Sequence, residues 1–188
     1  MGMSAQDKML NVASRLGLTT LKDMQGTTRM VYDSSIAITP THTLFKGVAQ
    51  RAFPLTNIGA NGNQFQVNEA LLVEKIGFFQ PLSDAALNYE GLGNGGNTLS
   101  VKFDLVIGNK TVIKDASVEF GGEQAFYNDG VAASSVMDLE GVGILIPPQV
   151  EYYVVAKIYN GQTRVAVNSR LGCYLYGTGA LLNFNTTI

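Results

Sequence analysis

From Val150 to Tyr159 the chain alternates. Val150, Tyr152, Val154, Ala156 and Ile158 fall on one side of an extended backbone, and Glu151, Tyr153, Val155, Lys157 and Tyr159 on the other. A period of two predicts a strand with one face in a core. The apolar run just before it, Ile144, Leu145 and Ile146, stops at Pro147 and Pro148. Prolines lack the amide donor a sheet ladder needs, so the pair predicts a corner where the chain changes strand or sheet.

Strand-like segments fill most of the chain from Arg29 on. RMVYDSSIAIT runs up to Pro40, HTLFKGVAQ follows, and NQFQVNEALLVEKIGFF ends before Pro81. NTLSVKFDLVIGNKTVIKDASVEF carries Gly108-Asn109, a hairpin-turn dipeptide, between two alternating runs. LEGVGILI, VEYYVVAKIYN, TRVAVN, LGCYLYG and LLNFNTT complete about eight to ten strands. Two segments interrupt them: SDAALNYEG (83–91), a short helix capped by Ser83, and GGEQAFYNDGVAASS (121–135), a loop with one turn of helix.

The first segment has helical spacing instead. Ser4 is placed to cap it, Asp7 to support the cap, and Gly17 to stop it, while Met9, Val12, Ala13 and Leu16 form one apolar stripe. So short a helix needs a dock for its stripe. With the polar stretch 18–29 behind it, residues 1–29 read as an N-terminal helical arm and connector, and 30–188 as one domain. Many strands, no βαβ alternation and no fixed repeat predict an all-β, single jelly-roll β-sandwich with a short N-terminal helical arm. An immunoglobulin sandwich is disfavoured, because the chain has no Trp and one Cys.

Composition sharpens this picture at one point. Charged residues make up only 15% of the 188, against roughly 25% in typical soluble domains. Few charges fit either a polar uncharged surface or large areas hidden against partners. Net charge is −2, divided as +3 over residues 1–51 and −5 over 52–188. No specific nucleic-acid motif accompanies the weak basic excess, no segment approaches a membrane span, and the N-terminus lacks the pattern of a secretory signal.

Candidate chemistry is sparse. GLGNGG spaces Gly91, Gly93 and Gly96 like a dinucleotide fingerprint, but a strand follows it where a helix is required. His42 is the only histidine, so neither a cupin-type metal site nor a Ser-His-Asp mechanism is expected, and it reads as a solvated turn residue at a strand start. The carboxylate pairs Asp138/Glu140 and Glu119/Glu123 carry no specific signal for hydrolysis, and Glu69/Glu74 and Asp129 lack a calcium-loop spacing. Lone Cys173, in RLGCYLYG, reads as a buried apolar residue. No catalytic, cofactor-binding or metal-ligating residue is expected, and no enzyme. Tyr153 and Tyr159 lie opposite the core face of their strand, and Tyr174 and Tyr176 share one face of theirs. Exposed sheet tyrosines suit partners, although a covering sheet would also account for them.

LEGVGILIPPQVEYYVVAKI, with its Pro-Pro-Gln corner, and RAFPLTNIGANGNQFQVNEALLVEKIGFF, with its Asn- and Gln-rich turns, resemble jelly-roll capsid proteins (coat, vertex or minor capsid) of icosahedral bacteriophages. The resemblance covers about residues 30–188 and is one of architecture. It implies a structural protein of the virion, made in the host cytoplasm and assembling into the capsid or its vertices. Its partners would be copies of itself, as trimer or pentamer, and other capsid proteins. The residues expected at contacts are Met9, Val12 and Leu16, docking the arm on a neighbour, with Tyr153, Tyr159, Tyr174 and Tyr176. The alternative is a carbohydrate-binding jelly-roll module of a fibre tip or lectin-like protein, using loops 83–97 and 121–135 with exposed tyrosines.

Overall fold

In the computed structural model the described residues are 4–18, 24–46, 53–58, 63–79, 99–120, 135–139, 141–160, 165, 166 and 168–182. They form α1 (Ala5–Arg15), β1 (Met24–Thr39), β2 (Thr41–Leu44), β3 (Glu69–Phe79), β4 (Leu99–Ile107), β5 (Lys110–Phe120), β6 (Ser135–Asp138), β7 (Ile144–Ile146), β8 (Tyr152–Asn160) and β9 (Ser169–Leu182). All strand pairings are antiparallel, in two sheets. Sheet A runs β1-β9-β3, with β6 and β7 both along the far side of β3; sheet B runs β2-β8-β4-β5.

Since β6 and β7 share one edge of β3, the described residues fill eight strand positions, four in each sheet. Successive positions cross from one sheet to the other, except at the β4–β5 hairpin. This order is the jelly roll.

Alternation decides which residues meet between the sheets. Leu71, Val73, Ile76 and Phe78 of β3 and Leu171, Cys173 and Leu175 of β9 face Val101, Phe103 and Leu105 of β4 and Tyr152, Val154, Ala156 and Ile158 of β8. Phe78 and Phe103 join the two layers, with ring centroids 4.9 Å apart. Each of the Val, Leu, Ile and Phe side chains among them, fully buried, stabilises the fold by about 1.5–3 kcal/mol.

Pro147 and Pro148 sit between β7 in sheet A and β8 in sheet B, and Gln149 beside them takes φ +57°. The proline pair therefore moves the chain between sheets. Gly108, at φ +59°, turns β4 into β5 as its dipeptide predicts.

Several expectations change. β1 starts at Met24 rather than Arg29, because exposed polar residues Gln25 to Thr28 pair with β9 at the end of sheet A. LEGVGILI is not one strand: the amides of Val142 and Gly143 donate to the Leu139 carbonyl, a turn that separates β6 from β7. TRVAVN contributes, among the described residues, one bridge between Ala166 and Tyr159. His42 is buried on β2, not solvated, because the even positions of that short strand point into the sandwich. The helix predicted at 83–91 lies outside the described residues, as does the loop predicted at 121–135 except for Ser135, which begins β6.

Candidate assembly interface

Ser4 caps α1 by accepting the Asp7 amide, while the Asp7 carboxylate accepts the Ser4 amide at 3.2 Å. The helix ends as Gly17 takes φ +72°. Its apolar stripe rests on the outer face of sheet A of the same chain. Val12 is wholly buried with Ala70, Leu72 and Ala180, and Met9 and Leu16 pack around them with Met24, Leu145 and Leu182. Small residues make the seat: a side chain at Gly26 would place its Cβ 2.7 Å from the Met9 sulfur. Met9, Val12 and Leu16, expected on a neighbour, thus contact their own sheet. The apolar stripe and the uncovered end of sheet A lie within reach of each other, so the short helix buries itself at home.

Polar contacts hold the helix in place. Lys8 Nζ lies 2.9 Å from Glu74 Oε1, and Thr178 donates to the same carboxylate at 3.0 Å. Arg15 donates to the carbonyls of Gly143 and Val142 at 2.9 and 2.8 Å. Glu74 reaches the helix because it continues the outward set of Ala70 and Leu72, and a bulge follows it. The β3–β9 register shifts between Val73 and Lys75, so Lys75 turns outward as well, ahead of inward Ile76.

Beyond α1 the outer face of sheet A continues as aromatic rows. Met30 stands opposite Tyr176, Tyr176 opposite Lys75, and Lys75 opposite Asp138. In the next row Tyr32, Tyr174, Gly77 and Val136 follow one another across the four strands. Phe79 stacks on Tyr174 at 6.5 Å and meets Tyr32 edge-on at 6.5 Å. Any side chain at Gly77 would run into the Tyr174 ring, and one at Gly172 into the Phe79 ring. Both rings therefore lie flat on the sheet. Met30 and Val136 are 47% and 43% exposed.

Tyr153 and Tyr159 are placed on the other outer face, that of sheet B, with Lys46 over the first ring at 4.8 Å and Lys157 over the second at 5.3 Å. The four expected tyrosines are thus divided between opposite surfaces. Tyr174 and Tyr176 share one of them with Met30, Tyr32, Phe79 and Val136, which sequence reasoning missed. The alternation of Met30 and Tyr32 was visible in β1. The outward turn of Phe79 was not, because the bulge at Glu74 changes the phase of β3.

Glu69 pairs with Arg29 at 2.9 Å on the inner side of β3, while Glu74 points outward, so the two share no ion site. No three His, Cys, Asp or Glu residues gather among the described residues. Burial pushes the Cys173 thiol well above its ordinary value, with Asp33 adding to the shift. Burial likewise raises the Tyr152 phenol, whose hydroxyl meets no hydrogen-bond partner between the Phe45 and Phe65 rings. No helix among the described residues is long and apolar enough to cross a membrane. Of the loops that the carbohydrate-binding alternative would use, 83–97 and 121–135, all but Ser135 at the start of β6 lie outside the described residues.

No protein-family model and no curated protein sequence matches the chain. Among solved structures, it is similar to the virus-like particle of extra small virus from the giant freshwater prawn Macrobrachium rosenbergii. That match has 11% identity and TM-score 0.42, covering 86% of this chain and 82% of the other. Desmodium yellow mottle tymovirus gives 11% identity and TM-score 0.40, covering 85% and 88%. The coat protein of tobacco streak virus gives 12% and 0.34, covering 91% and 94%. The jelly-roll assignment rests on the strand order.

Proposed function

We propose that this chain is a structural protein of a virus particle, assembling with copies of itself into an icosahedral shell or its vertices. The observation that carries the reading is the outer surface of the sandwich. Partly exposed tyrosines stand on both outer faces, and Met30, Ile36, Ile38 and Val136 are 43–59% exposed, in a chain with only 15% charged residues. Aromatic and Met side chains with few charges are what the cores of protein interfaces contain. A jelly roll supplies two broad, rigid faces on which such contacts can be built.

In this reading Tyr153, Tyr159, Tyr174 and Tyr176 are contact residues, and α1 stiffens one end of sheet A. The particle is that of a bacteriophage, as the Asn- and Gln-rich turns suggest, and the protein is made in the host cytoplasm. The reading assigns the chain no reaction.

Native mass spectrometry of the full chain over a range of concentrations, with electron microscopy of any large species, tests it. A discrete trimer, pentamer or closed shell is expected. A chain that stays monomeric throughout and shows no shell contradicts self-assembly.

A further inference from the structure

We infer that the outer edge of β1 over residues 24–28 is a twofold contact between two copies of this chain, formed by antiparallel strand pairing about Gly26. The inference rests on the self-assembly reading and names the surface that one of its contacts uses.

The amide of Tyr32 donates to the Asn57 side chain at 2.7 Å, and that side chain donates to the Met30 carbonyl at 2.8 Å. The even-numbered residues of β1 therefore turn their backbone groups away from β9, toward the edge of sheet A. Asn57 satisfies the edge at Met30 and Tyr32. Before that point Met24, Gly26 and Thr28 carry the same outward groups, in a segment where Gln25, Gly26, Thr27 and Thr28 are all exposed. Among the described residues no strand pairs with β1 on that side.

Such an edge is a template for another strand unless charge, proline, a bulge or shortness guards it. The other three edges of the two sheets are guarded. β2 has only 4 residues, and the far edge of sheet A is broken into β6 and β7, of 4 and 3. β5 carries Lys110, Lys114, Asp115 and Glu119, its register with β4 shifts, and Asp115 takes φ +53°. Residues 24–28 have no charge, no proline and a regular register with β9.

Three features make a second copy the occupant. Two identical strands can pair antiparallel about a twofold axis, so one edge supplies both partners. A partner strand that reached Met30 would meet Asn57, which centres the pairing on Gly26 and sets Met24 opposite Thr28 of the other copy. That register closes about six main-chain hydrogen bonds. Gly26 brings no side chain to the axis, and Met9, packed against it in each copy, flanks the axis with the kind of apolar side chain that interfaces favour. With no charge in residues 24–28, two chains of net charge −2 pair there without setting like charges opposite each other.

Disulfide cross-linking and sedimentation velocity of the full chain test the contact. In this register Gln25 stands opposite Thr27 of the other copy as a non-hydrogen-bonded pair, with Cα atoms about 4.5 Å apart and within disulfide reach. A Gln25→Cys chain mixed with a Thr27→Cys chain should therefore cross-link under mild oxidation. Either variant alone should not, because its cysteines lie on a diagonal of about 7–8 Å. Native Cys173 is buried and does not compete. Thr28→Pro removes an outward amide and spares the β9 ladder, so its thermal midpoint should hold. Its self-association should weaken at least about 10-fold, the effect of losing one hydrogen bond in each copy.

If the wild type associates, the mixture cross-links no more than either variant alone and Thr28→Pro associates like the wild type, this contact is wrong and self-assembly uses another surface. Should Thr28→Pro fail to fold, the cross-link decides by itself. Cross-linking of Thr27→Cys with its own kind, and not with Gln25→Cys, overturns the pairing about Gly26. If the wild type never associates and the mixture never cross-links, the self-assembly reading fails and this contact with it.

Discussion

Lys8 of α1 and Glu74 of β3 form an ion pair of 2.9 Å whose side chains are only 17% and 8% exposed. It joins α1 to the bulge in the sheet. Thr178 shares the carboxylate, so its acceptors are well used. Removing the cation leaves a nearly buried carboxylate with one neutral donor. Lys8→Ala is therefore expected to destabilise the chain by about 2–3 kcal/mol, and Glu74→Gln by less, because the amide still accepts from both partners. Urea denaturation midpoints at neutral pH check the order.

Val12 is the wholly buried centre of the helix seat. Val12→Asp puts a charge against Ala70, Leu72 and Ala180, and α1 alone is too short to persist in water. Hydrogen exchange should show the amides of residues 8–15 losing protection while those of Ile76 and Leu175 keep theirs. Equal loss at all these positions would mean that the helix and the sandwich fold as one unit.

Gly177 and Gly77 differ in what a methyl group would meet. At Gly177 it is the backbone carbonyl of Leu72 in the neighbouring strand; at Gly77 it is the Tyr174 ring. Backbone in a paired strand cannot yield, whereas a ring can swing outward. Gly177→Ala should therefore cost more than about 3 kcal/mol or prevent folding, and Gly77→Ala about 1 kcal/mol, with a changed near-ultraviolet circular dichroism signal from the displaced tyrosine.

The Tyr152 hydroxyl is buried and has no hydrogen-bond partner. Its removal takes away a desolvation penalty and leaves the Phe45 and Phe65 ring contacts intact. Tyr152→Phe should be neutral or stabilising by up to about 1 kcal/mol. A thermal midpoint several degrees below that of the wild type would mean that the hydroxyl is satisfied in solution.

Cys173 gives a pH signature. Burial raises the thiol in the folded state, so above the unfolded value of about 8.5 the folded chain holds a proton that the unfolded chain has lost. Stability must then fall with rising pH, by up to about 1.4 kcal/mol per unit, from the unfolded value up to the folded one. Cys173→Ala should flatten the stability profile between about pH 8.5 and 9.5, below the onset of tyrosine ionisation in the unfolded chain. The same burial predicts that a thiol reagent labels the native chain only as fast as it opens.

Local chemistry was legible in the sequence. Ser4, Asp7 and Gly17 bound a helix, Gly108 turns a hairpin and Pro147-Pro148 breaks a ladder, because each acts through its own backbone or that of its next few neighbours. Alternation likewise identified the buried face of β8 and the shared face of Tyr174 and Tyr176, since side-chain direction in a strand has a fixed period. The all-β class followed from those signals together.

What only the tertiary structure decided involves residues far apart in the chain. The helix stripe could seat on any apolar face, and nothing local to residues 5–15 names Ala70, Leu72 and Ala180 as its seat. The bulge at Glu74 inserts one residue into β3 and reverses the phase of everything after it, which is why Phe79 joins Tyr32 and Tyr174 on the outside. His42 reads as polar and exposed, yet its place in β2, opposite Ala156 of β8, turns it inward. The rows of the outer face assemble residues from near 30, 77, 136 and 175 in one plane. A jelly roll pairs strands that are distant in sequence, so the alternation within each strand fixes which residues share a face, and only the pairing fixes which faces meet.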